Sequence, residues 1–353
     1  MQPFVYDALP MRVVFGAGAV EQVRAEVGRL GASRALVLTT PNQQADGERI
    51  AALLGPLAAG VFSGATMHTP THVTAAALAR LTAAGAQCVV AIGGGSTTGL
   101  GKALALRTGV DQVCIPTTYA GSEMTPILGE TSDGAKTTQR DAAILPETVI
   151  YDVDLTLGLP VGLSAVSGIN AIAHAVEALY AETRNPIVSM MAEDGIGALA
   201  EALPRIVAAP ADRAARERAL YGAWLGGVCL GAVGMALHHK LCHTLGGMFD
   251  LPHAETHTII LPHAVAYNAA AAPEAMARVA RALRVDDAAR GLYDLAGRVG
   301  AKRGLRDIGM PEDGITRAAE AAMRNPYWNP RPLEAAAIRD LIAAAWRGDP
   351  PRP

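Results

Sequence analysis

Residues 87–106, which read QCVVAI, then GGGS, then TTGLGKALAL, decide the fold of this chain. The first run is apolar throughout, as expected for a strand that is buried on both faces of a sheet. A glycine turn follows at Gly93-Gly94-Gly95-Ser96, and Thr97–Leu106 carries a helical pattern. Units of strand, turn and helix build parallel sheets that are covered by helices.

The same alternation extends over the first 155 residues. Further strands are predicted at Ala35–Thr39, Gly60–Phe62, Asp111–Ile115 and Thr148–Tyr151, and further helices around Glu48–Leu57 and at His72–Ala84. From about Leu155 the strand patterns stop and helical periodicity takes over. We therefore predict an α/β domain over residues 1–155 and an all-α domain over residues 156–353.

Helices are predicted in the second domain at Ser167–Glu182, Ile187–Val207, Ala211–Leu230, Ala236–Met248, Glu274–Leu283, Ala288–Gly300, Ile315–Arg324 and Leu333–Trp346. Prolines disfavour helix interiors and so predict the breaks between these helices. The breaks are placed at Asn185-Pro186, Pro204, Pro252, Pro262, Pro273 and Pro311.

Composition excludes several classes of protein. The formal net charge is -3 without a basic tract, so neither nucleic acid nor an anionic membrane is expected as a partner. The four cysteines are widely spread without a CxxC pair, which argues against a disulfide framework or a cysteine-based zinc site. No secretory signal is recognised, and no stretch approaches the roughly 20 apolar residues that span a bilayer. We expect a cytoplasmic enzyme.

The glycine turn is a candidate phosphate site. Glycines allow a pyrophosphate to approach the main chain, and the N-terminus of the following helix offers free N–H groups. The spacing Gly93, Gly95, Gly99 is not the ordinary dinucleotide fingerprint, and a simple tight turn remains an alternative. Thr117 and Thr118 follow the next strand and should lie at the same edge of the sheet.

The end of the strand Ala35–Thr39 bears on the choice of coenzyme. A carboxylate at this place would grip a ribose hydroxyl, but the chain has Thr39-Thr40-Pro41. A 2′-phosphate would meet no charge repulsion there. We therefore expect NADH or NADPH as the cofactor.

A histidine cluster marks the second domain. His238, His239, His243 and His253 fall within twenty residues, and His257 and His263 follow. His239 and His243 are four residues apart on one predicted helix, as are Asn170 and His174 on another, so each pair shares a helix face. A lone histidine in such a place would be an ordinary core residue, but this number indicates a site.

Asn170 stands where a metal site would need a carboxylate. Three imidazoles usually bind a divalent metal together with a carboxylate or a water molecule. An amide oxygen is neutral and a poorer ligand. We therefore expect little metal binding and a cluster that acts through hydrogen bonds and proton transfer.

These motifs together resemble the iron-containing alcohol dehydrogenase family, over essentially the whole chain. The resemblance rests on the GGGS turn, Pro116-Thr117-Thr118, the Asn170/His174 pair and His239–His263. It implies the family fold (dehydroquinate synthase-like), with a site in the cleft between an N-terminal dinucleotide-binding domain and a helical domain. It also implies that His174, His239 and His253 match metal-binding histidines, that Asn170 matches the metal-binding aspartate, and that His243 matches a further active-site histidine.

Within the family, several stretches are most similar to a subgroup that has Asn in place of this Asp. They are Phe4–Gly16, Gly93–Lys102, Thr117–Thr125, Ser167–Tyr180 and Asn325–Pro332. The subgroup reduces a carbon–carbon double bond conjugated to a ketone in a dicarboxylate from aromatic-ring degradation. The resemblance thus implies an NAD(P)H-dependent reductase of a small dicarboxylate enone, active as a homodimer.

The candidate residues follow from these comparisons of motif and pattern. For catalysis they are His243, His239, His174, His253 and Asn170, with His243 as first candidate for the proton donor. For the cofactor they are Gly93, Gly94, Gly95, Ser96, Thr117, Thr118, Ser122, Lys136 and Thr40. Cations for the substrate carboxylates come from Arg140, Lys136, Lys240 and Arg331. No bound metal is expected at Asn170, His174, His239 and His253.

Two other functions stay open at this point. One is a metal-dependent alcohol or polyol dehydrogenase on the same fold. The other is a non-catalytic sensor built on the scaffold of an inactive enzyme. The intact Gly93–Ser96 turn and His243 argue against this second function.

Overall fold

The structure, a computed structural model, describes residues 4–6, 8–9, 11–132, 135–324 and 327–352. Contacts within the chain divide it into two compact units. One comprises Ala8–Leu159, and the other comprises Pro160–Pro353 together with the first seven residues. The division lies between Leu159 and Pro160, whereas the sequence placed the boundary after residue 155.

The first unit is built on a six-stranded parallel sheet with the strand order β1-β8-β5-β4-β2-β3. The strands are β1 (Arg12–Gly16), β2 (Ala35–Leu38), β3 (Ala58–Phe62), β4 (Cys88–Gly93), β5 (Asp111–Pro116) and β8 (Thr148–Asp152). The helices are α1 (Val23–Arg29), α2 (Gln44–Leu54), α3 (Thr71–Ala84) and α4 (Gly95–Thr108). β4 is buried along its whole length, which confirms the interpretation of the QCVVAI run. The predicted parallel sheet with covering helices is confirmed.

The registers bring three strand ends to one edge of the sheet. β4 lies between β2 and β5, with Leu38 opposite Ala91 and Gly93 opposite Pro116. Residues that follow these three strands therefore share the carboxyl edge, where ligands bind in open α/β sheets. This arrangement places the predicted cofactor segments next to each other.

The sequence analysis missed the antiparallel hairpin of β6 (Ile127–Ser132) and β7 (Ala135–Arg140). Its strands, ILGETS and AKTTQR, are rich in polar residues and lack the continuous apolar run of a central strand. It also did not predict β1, which is a short edge strand. Edge and hairpin strands carry weaker patterns because only part of their surface is buried.

The second unit is helical, as predicted. Its helices are α5 (Val161–Tyr180), α6 (Pro186–Ala208), α7 (Arg213–Ala232), α8 (Leu237–Phe249), α9 (His253–Asn268), α10 (Pro273–Leu283), α11 (Ala288–Arg298), α12 (Gly314–Met323) and α13 (Ala335–Arg347). Side-chain caps fix several starts: Asn185 accepts from the N–H of Val188, and Asp212 accepts from that of Ala215.

Two of the predicted proline breaks are wrong. Pro204 lies inside α6 and Pro262 lies inside α9. An interior proline removes one backbone hydrogen bond and costs roughly 3 kcal/mol, so packing must offset it. Residues Thr256–Asn268 of α9 are all buried, which supplies this compensation. Because Pro262 was read as a break, the sequence analysis did not predict α9 at all.

The central helix α5 is long and apolar enough to cross a membrane by length and composition, contrary to the expectation that no stretch would be. However, 83% of its most apolar window is buried inside the fold. Its apolar side chains pack against α6, α7 and α9. This is the burial pattern of a core helix.

Candidate functional site

The glycine turn forms an open cradle at the start of α4. Gly94 is the N-cap of the helix and has no side chain that could cap it. Gly94 and Ser96 are half-buried and Gly95 is exposed, so a ligand can reach the first-turn N–H groups. A Cβ on Gly94 would lie 3.1 Å from the Thr118 side chain. The turn therefore needs glycine for the close approach of chain segments and can bind an anion through the helix N-terminus.

Gly93 shows the tightest packing of the turn. Its φ of +142° lies in a region that L side chains rarely adopt. A Cβ there would be 2.8 Å from Oγ1 of Thr97 and 2.9 Å from Oε1 of Gln43. Both backbone conformation and space thus demand glycine at this position.

Gln43 joins the three strand ends, and the sequence analysis missed it. Its Nε2 donates to Oγ1 of Thr117 (3.2 Å), and its Oε1 accepts from Oγ1 of Thr40 (3.2 Å). The backbone N–H of Thr117 donates to Gly93 O (2.9 Å). The Gln43 amide thus joins Thr40 to Thr117, and the backbone hydrogen bond joins Thr117 to Gly93. The structure therefore brings these three predicted residues together.

The loop that carries Ser122 is held by a buried lysine. Lys102, which is 1% exposed, donates from Nζ to the carbonyl oxygens of Ser122, Thr125 and Ile127 and to the Thr125 hydroxyl. Burial lowers the pKa of Lys102 to about 8. The Ser122 hydroxyl is buried and makes no hydrogen bond within the described residues. It would lie 3.8 Å from a Cβ on Gly95, so it is a free polar group at the cradle.

The histidine cluster is assembled by three helices of the second unit. α5 carries His174, α8 carries His238, His239 and His243, and α9 carries His253 and His257. The ring centroids of His174 and His239 lie 5.2 Å apart, and those of His253 and His257 lie 4.3 Å apart. The prediction that two helices bring their pairs together is thus extended to a third helix, which the sequence did not reveal.

Several buried polar atoms in this cluster lack a partner among the described residues. They are Oδ1 of Asn170, Nδ1 of His174, Nε2 of His239 and Nε2 of His257. Burial lowers the pKa of His174 well below its ordinary value, and neighbouring imidazoles add to the effect. His243 and His253, by contrast, are exposed. Orphaned buried polar atoms call for a ligand, because each one otherwise costs free energy.

Glu177 is the carboxylate of the cluster, and the sequence analysis did not single it out. It lies on α5 three residues after His174 and is fully buried. Its Oε2 accepts from Nδ1 of His239 (2.6 Å). Its oxygens also accept from the backbone N–H groups of Ala236 (3.0 Å) and His238 (2.8 Å). Burial alone would raise the pKa of Glu177, but these hydrogen bonds hold it at about 2.

The fully buried trio His238, Cys242 and His257 gathers its ligand atoms within 4.8 Å of one another. Nε2 of His238 and Nδ1 of His257 are only 2.9 Å apart. Two nitrogens on one tetrahedral metal at about 2.0–2.1 Å would be roughly 3.3 Å apart. The observed separation is that of a direct hydrogen bond. We interpret the trio as a hydrogen-bonded support behind His239.

The residues at the family's metal positions do not fit an iron site with a carboxylate ligand. Asn170, His174, His239 and His253 form a neutral donor set, because no member carries an anionic oxygen. The nearby carboxylate of Glu177 is committed to His239 and to backbone N–H groups. Among the described residues, the three whose ligand atoms lie within 4.8 Å of one another are His238, Cys242 and His257, and none of them stands at a family metal position.

The four candidate cations for the substrate lie in different places. Lys240 is half-buried on α8, and its Nζ lies 5.4 Å from the ring centre of Tyr327. Arg331 donates to Tyr267 O (3.2 Å) and stacks over the Tyr267 ring at 4.2 Å. Arg140 is exposed at the end of β7. Lys136 lies in β7, but its side chain falls outside what is described.

Comparison with known proteins shows the family of this chain. A family profile described as iron-containing alcohol dehydrogenase matches residues 10–153. A second, for the C-terminal part of the Fe-containing alcohol dehydrogenase family, matches residues 164–346. Together they cover most of the chain.

Similar proteins point to a narrower group. A maleylacetate reductase from Rhizobium sp. (strain MTP-10005) is 60% identical over 351 residues, which are 99% of this chain and 100% of that protein. The crystal structure of a maleylacetate reductase from Agrobacterium tumefaciens has a TM-score of 0.97 at 60% identity, covering 99% and 100% of the two chains. The structure of a putative alcohol dehydrogenase from Ralstonia eutropha JMP134 has a TM-score of 0.98 at 63% identity, with the same coverage.

The subgroup that the sequence motifs resembled is that of the maleylacetate reductases, and the resemblance is confirmed. The predicted fold class is confirmed as well. With two family profiles and relatives of full length, the chain belongs to the iron-containing alcohol dehydrogenase family of oxidoreductases.

Proposed function

We propose that this chain is an NAD(P)H-dependent reductase that converts maleylacetate to 3-oxoadipate in the degradation of aromatic compounds. The observation that carries the proposal is Asn170. It is buried among the histidines, with an unpaired Oδ1, at the position that the family resemblance assigns to a metal-binding aspartate. A site without that carboxylate suits a reaction that needs less electrophilic help than the reduction of a simple carbonyl.

The cradle in the first unit suits a nicotinamide dinucleotide. The uncapped N-terminus of α4, with Gly94, Gly95 and Ser96, would hold the pyrophosphate. Thr118 and Ser122 offer hydroxyl groups beside it. When bound, the reduced nicotinamide supplies a hydride.

The reaction adds a hydride and a proton across a carbon–carbon double bond conjugated to a ketone. The hydride adds to the far alkene carbon, and the negative charge moves to the ketone oxygen as an enolate. Nδ1 of His174, which has no partner among the described residues, can donate an N–H to this oxygen, and Asn170 can do so with its amide N–H₂ when the two ends of the amide are exchanged. Delocalisation into the enolate makes that assistance sufficient, whereas an alkoxide on the reacting carbon would gain more from a Lewis acid.

A proton must then reach the carbon next to the ketone. His243 is our candidate donor, since it is exposed on α8 and its ring centre lies 6.1 Å from that of His239. General acids of this kind typically contribute 10²- to 10⁴-fold to the rate. His253 lies 6.4 Å from His243 between ring centres and can support its orientation.

Lys240 is the cation that best suits a substrate carboxylate. It is half-buried, follows His239 directly in α8, and is three residues before His243. Beside it, the Tyr327 hydroxyl is buried and makes no hydrogen bond within the described residues. We propose that this ammonium and phenol bind one carboxylate end of the substrate.

The proposed function is tested by mixing the protein with NADH or NADPH and maleylacetate. We expect loss of the reduced nicotinamide's absorbance and formation of 3-oxoadipate in equal amounts. Intact, folded protein that consumes no cofactor with maleylacetate would contradict the proposal.

A second candidate is a metal-dependent alcohol or polyol dehydrogenase. The buried atoms Oδ1 of Asn170, Nδ1 of His174 and Nε2 of His239 favour it, because oxygen and nitrogen lone pairs without a hydrogen-bond partner can also coordinate a cation. The similar protein from Ralstonia eutropha JMP134 also carries the name putative alcohol dehydrogenase. Reduction of NAD⁺ by simple alcohols or diols, faster than maleylacetate turnover in the opposite direction, would select this candidate.

A further inference from the structure

The buried carboxylate of Glu177 makes contacts that its sequence context does not explain. It lies in an apolar helix, and every part of it is inaccessible. Three of its partners lie at the start of α8: Nδ1 of His239 and the backbone N–H groups of Ala236 and His238. The Tyr180 hydroxyl on α5 also donates to Oε1, at 3.4 Å. A buried carboxylate is retained at some cost, since its desolvation must be offset by such contacts.

The hydrogen bond between Glu177 and His239 places a proton on Nδ1 of that ring. An ionised carboxylate can only accept, so the proton of the 2.6 Å contact belongs to Nδ1 of His239. In the neutral imidazole, Nε2 then carries the lone pair. This Nε2 is buried and without a partner among the described residues, as is Oδ1 of Asn170. The ring is therefore held by one nitrogen while the other is left for a ligand.

We infer that Glu177 is a positioning residue for the reductase site: it fixes the orientation and tautomer of His239 so that Nε2 faces the bound substrate. The inference rests on the proposed function for the identity of that substrate. A carboxylate that orients a catalytic imidazole in this way can affect turnover by orders of magnitude.

A purely structural role is the competing explanation. Glu177 also accepts the N–H groups at the first turn of α8, whose N-cap, Ala236, has no side-chain cap of its own. Removing the carboxylate would thus weaken the start of this helix. A test must separate the loss of the helix cap from the loss of ring control.

The first readout is a double-mutant cycle between Glu177→Gln and His239→Asn. We expect Glu177→Gln to lower kcat for maleylacetate reduction at least tenfold, with the KM for NADH changed less than twofold. In the His239→Asn background, the same change should alter kcat less than twofold, because its effect passes through His239. An equal loss in both backgrounds, or unchanged kcat in Glu177→Gln, would overturn the inference.

The second readout needs no substrate. In protein with ¹⁵N-labelled histidine, the His239 signals should report a proton on Nδ1, and Glu177→Gln should lower the share of that tautomer, because an amide oxygen is a weaker acceptor than a carboxylate. An unchanged tautomer in that variant would also overturn the inference. If maleylacetate proves not to be the substrate, this measurement still judges Glu177, so the two failures can be told apart.

Two further variants control for folding. Glu177→Asp keeps a carboxylate at shorter reach and should retain the Nδ1 tautomer with an intermediate kcat; it replaces Glu177→Gln if that variant does not fold. Asp212→Ala removes a carboxylate that caps α7 in the same unit and is outside the histidine cluster. It should lower the melting temperature and leave kcat unchanged.

Discussion

The side chain of Asn170 differs from an aspartate by one charge, and we propose that this charge decides what the neighbouring imidazoles bind. The donor set at Asn170, His174, His239 and His253 is neutral as it stands. Hydrogen bonds to a substrate oxygen need no further charge, whereas a divalent cation gains affinity from an anionic oxygen ligand. The proposed chemistry therefore depends on this single residue more than on any other.

A carboxylate at position 170 should strengthen metal binding and weaken the reduction of maleylacetate. We expect Asn170→Asp to raise the amount of divalent metal that copurifies and to lower maleylacetate turnover by at least about tenfold. The reason is repulsion between the new carboxylate and the negative charge that develops on the substrate oxygen. Like charges a few ångströms apart cost several kcal/mol in a protein, and a tenfold loss of rate corresponds to about 1.4 kcal/mol. Elemental analysis and the NADH assay measure the two effects.

The control for that variant is Asn185→Asp in the same unit. Asn185 caps α6 through the N–H of Val188, and aspartate caps helices equally well. This change should leave metal content and turnover as they are. Undiminished metal-free activity in Asn170→Asp would argue against the role given to the amide.

His263 makes the stability of the fold depend on pH. Burial lowers its pKa from 6.5 to about 4, although Asp349 acts in the opposite direction. The unfolded chain therefore binds this proton more readily than the folded one. The contribution of the neutral ring is fully present above pH 6.5 and is lost as the pH falls from 6.5 towards 4.

Over that window we expect His263 to account for about 2 kcal/mol of lost stability between pH 7 and pH 5. Urea midpoints at the two pH values, for the wild-type protein and for His263→Phe, measure this contribution. The variant should lose less stability on acidification. Equal losses in both proteins would show that His263 does not titrate as its burial implies.

The space in the turn between β4 and α4 limits the binding of the dinucleotide. Gly94→Ala puts a Cβ 3.1 Å from the Thr118 side chain, without the backbone strain that Gly93 would suffer. Thr118 must move, and the cradle narrows. We expect the Kd for NADH to rise about tenfold, or roughly 1.4 kcal/mol, as measured by fluorescence titration.

Gly28→Ala is the matched control, since a Cβ in this α1 glycine has open space within 4 Å. Alanine is the better helix former by roughly 0.5–1 kcal/mol, so this variant should be slightly more stable and bind NADH normally. An unaltered Kd in Gly94→Ala would mean that the dinucleotide does not use the turn.

The loop after β5 depends on Lys102 in a similar way. Lys102→Met would remove the donor that the carbonyl oxygens of Ser122, Thr125 and Ile127 share. Ser122 O would keep the N–H and hydroxyl of Thr125 as donors, so the loss falls on the other carbonyl oxygens. Unsatisfied buried acceptors cost about 1–3 kcal/mol each, so we expect a destabilisation of at least that size. Denaturant unfolding measures it, and a stability within 0.5 kcal/mol of wild type, on the order of a neutral surface change, would contradict the account.

For the whole molecule, the parts that the sequence predicted are those whose signals are local. The QCVVAI run predicts a buried strand, and the glycines that follow it predict a tight turn. The strand is present at Cys88–Gly93, and the turn leads through Gly94 into α4. The pairing of His239 with His243 on one helix is local in the same sense.

The parts that were missed depend on contacts between distant segments. Pro262 reads as a helix break, yet burial along α9 offsets its cost. Glu177 reads as one polar residue of an apolar helix, and its partner His239 lies 62 residues further along the chain. Gln43 bridges to Thr117 across 74 residues. No pattern within a single window of sequence contains these pairings.

The most direct test of the central claim is turnover of maleylacetate by protein that has been stripped of metal. Purified protein is dialysed against EDTA, its iron and zinc contents are determined, and NADH oxidation is followed with and without added metal. The account predicts full turnover at a metal content far below one ion per chain, with no stimulation by iron or zinc. Loss of turnover with EDTA and its recovery with iron or zinc would contradict it.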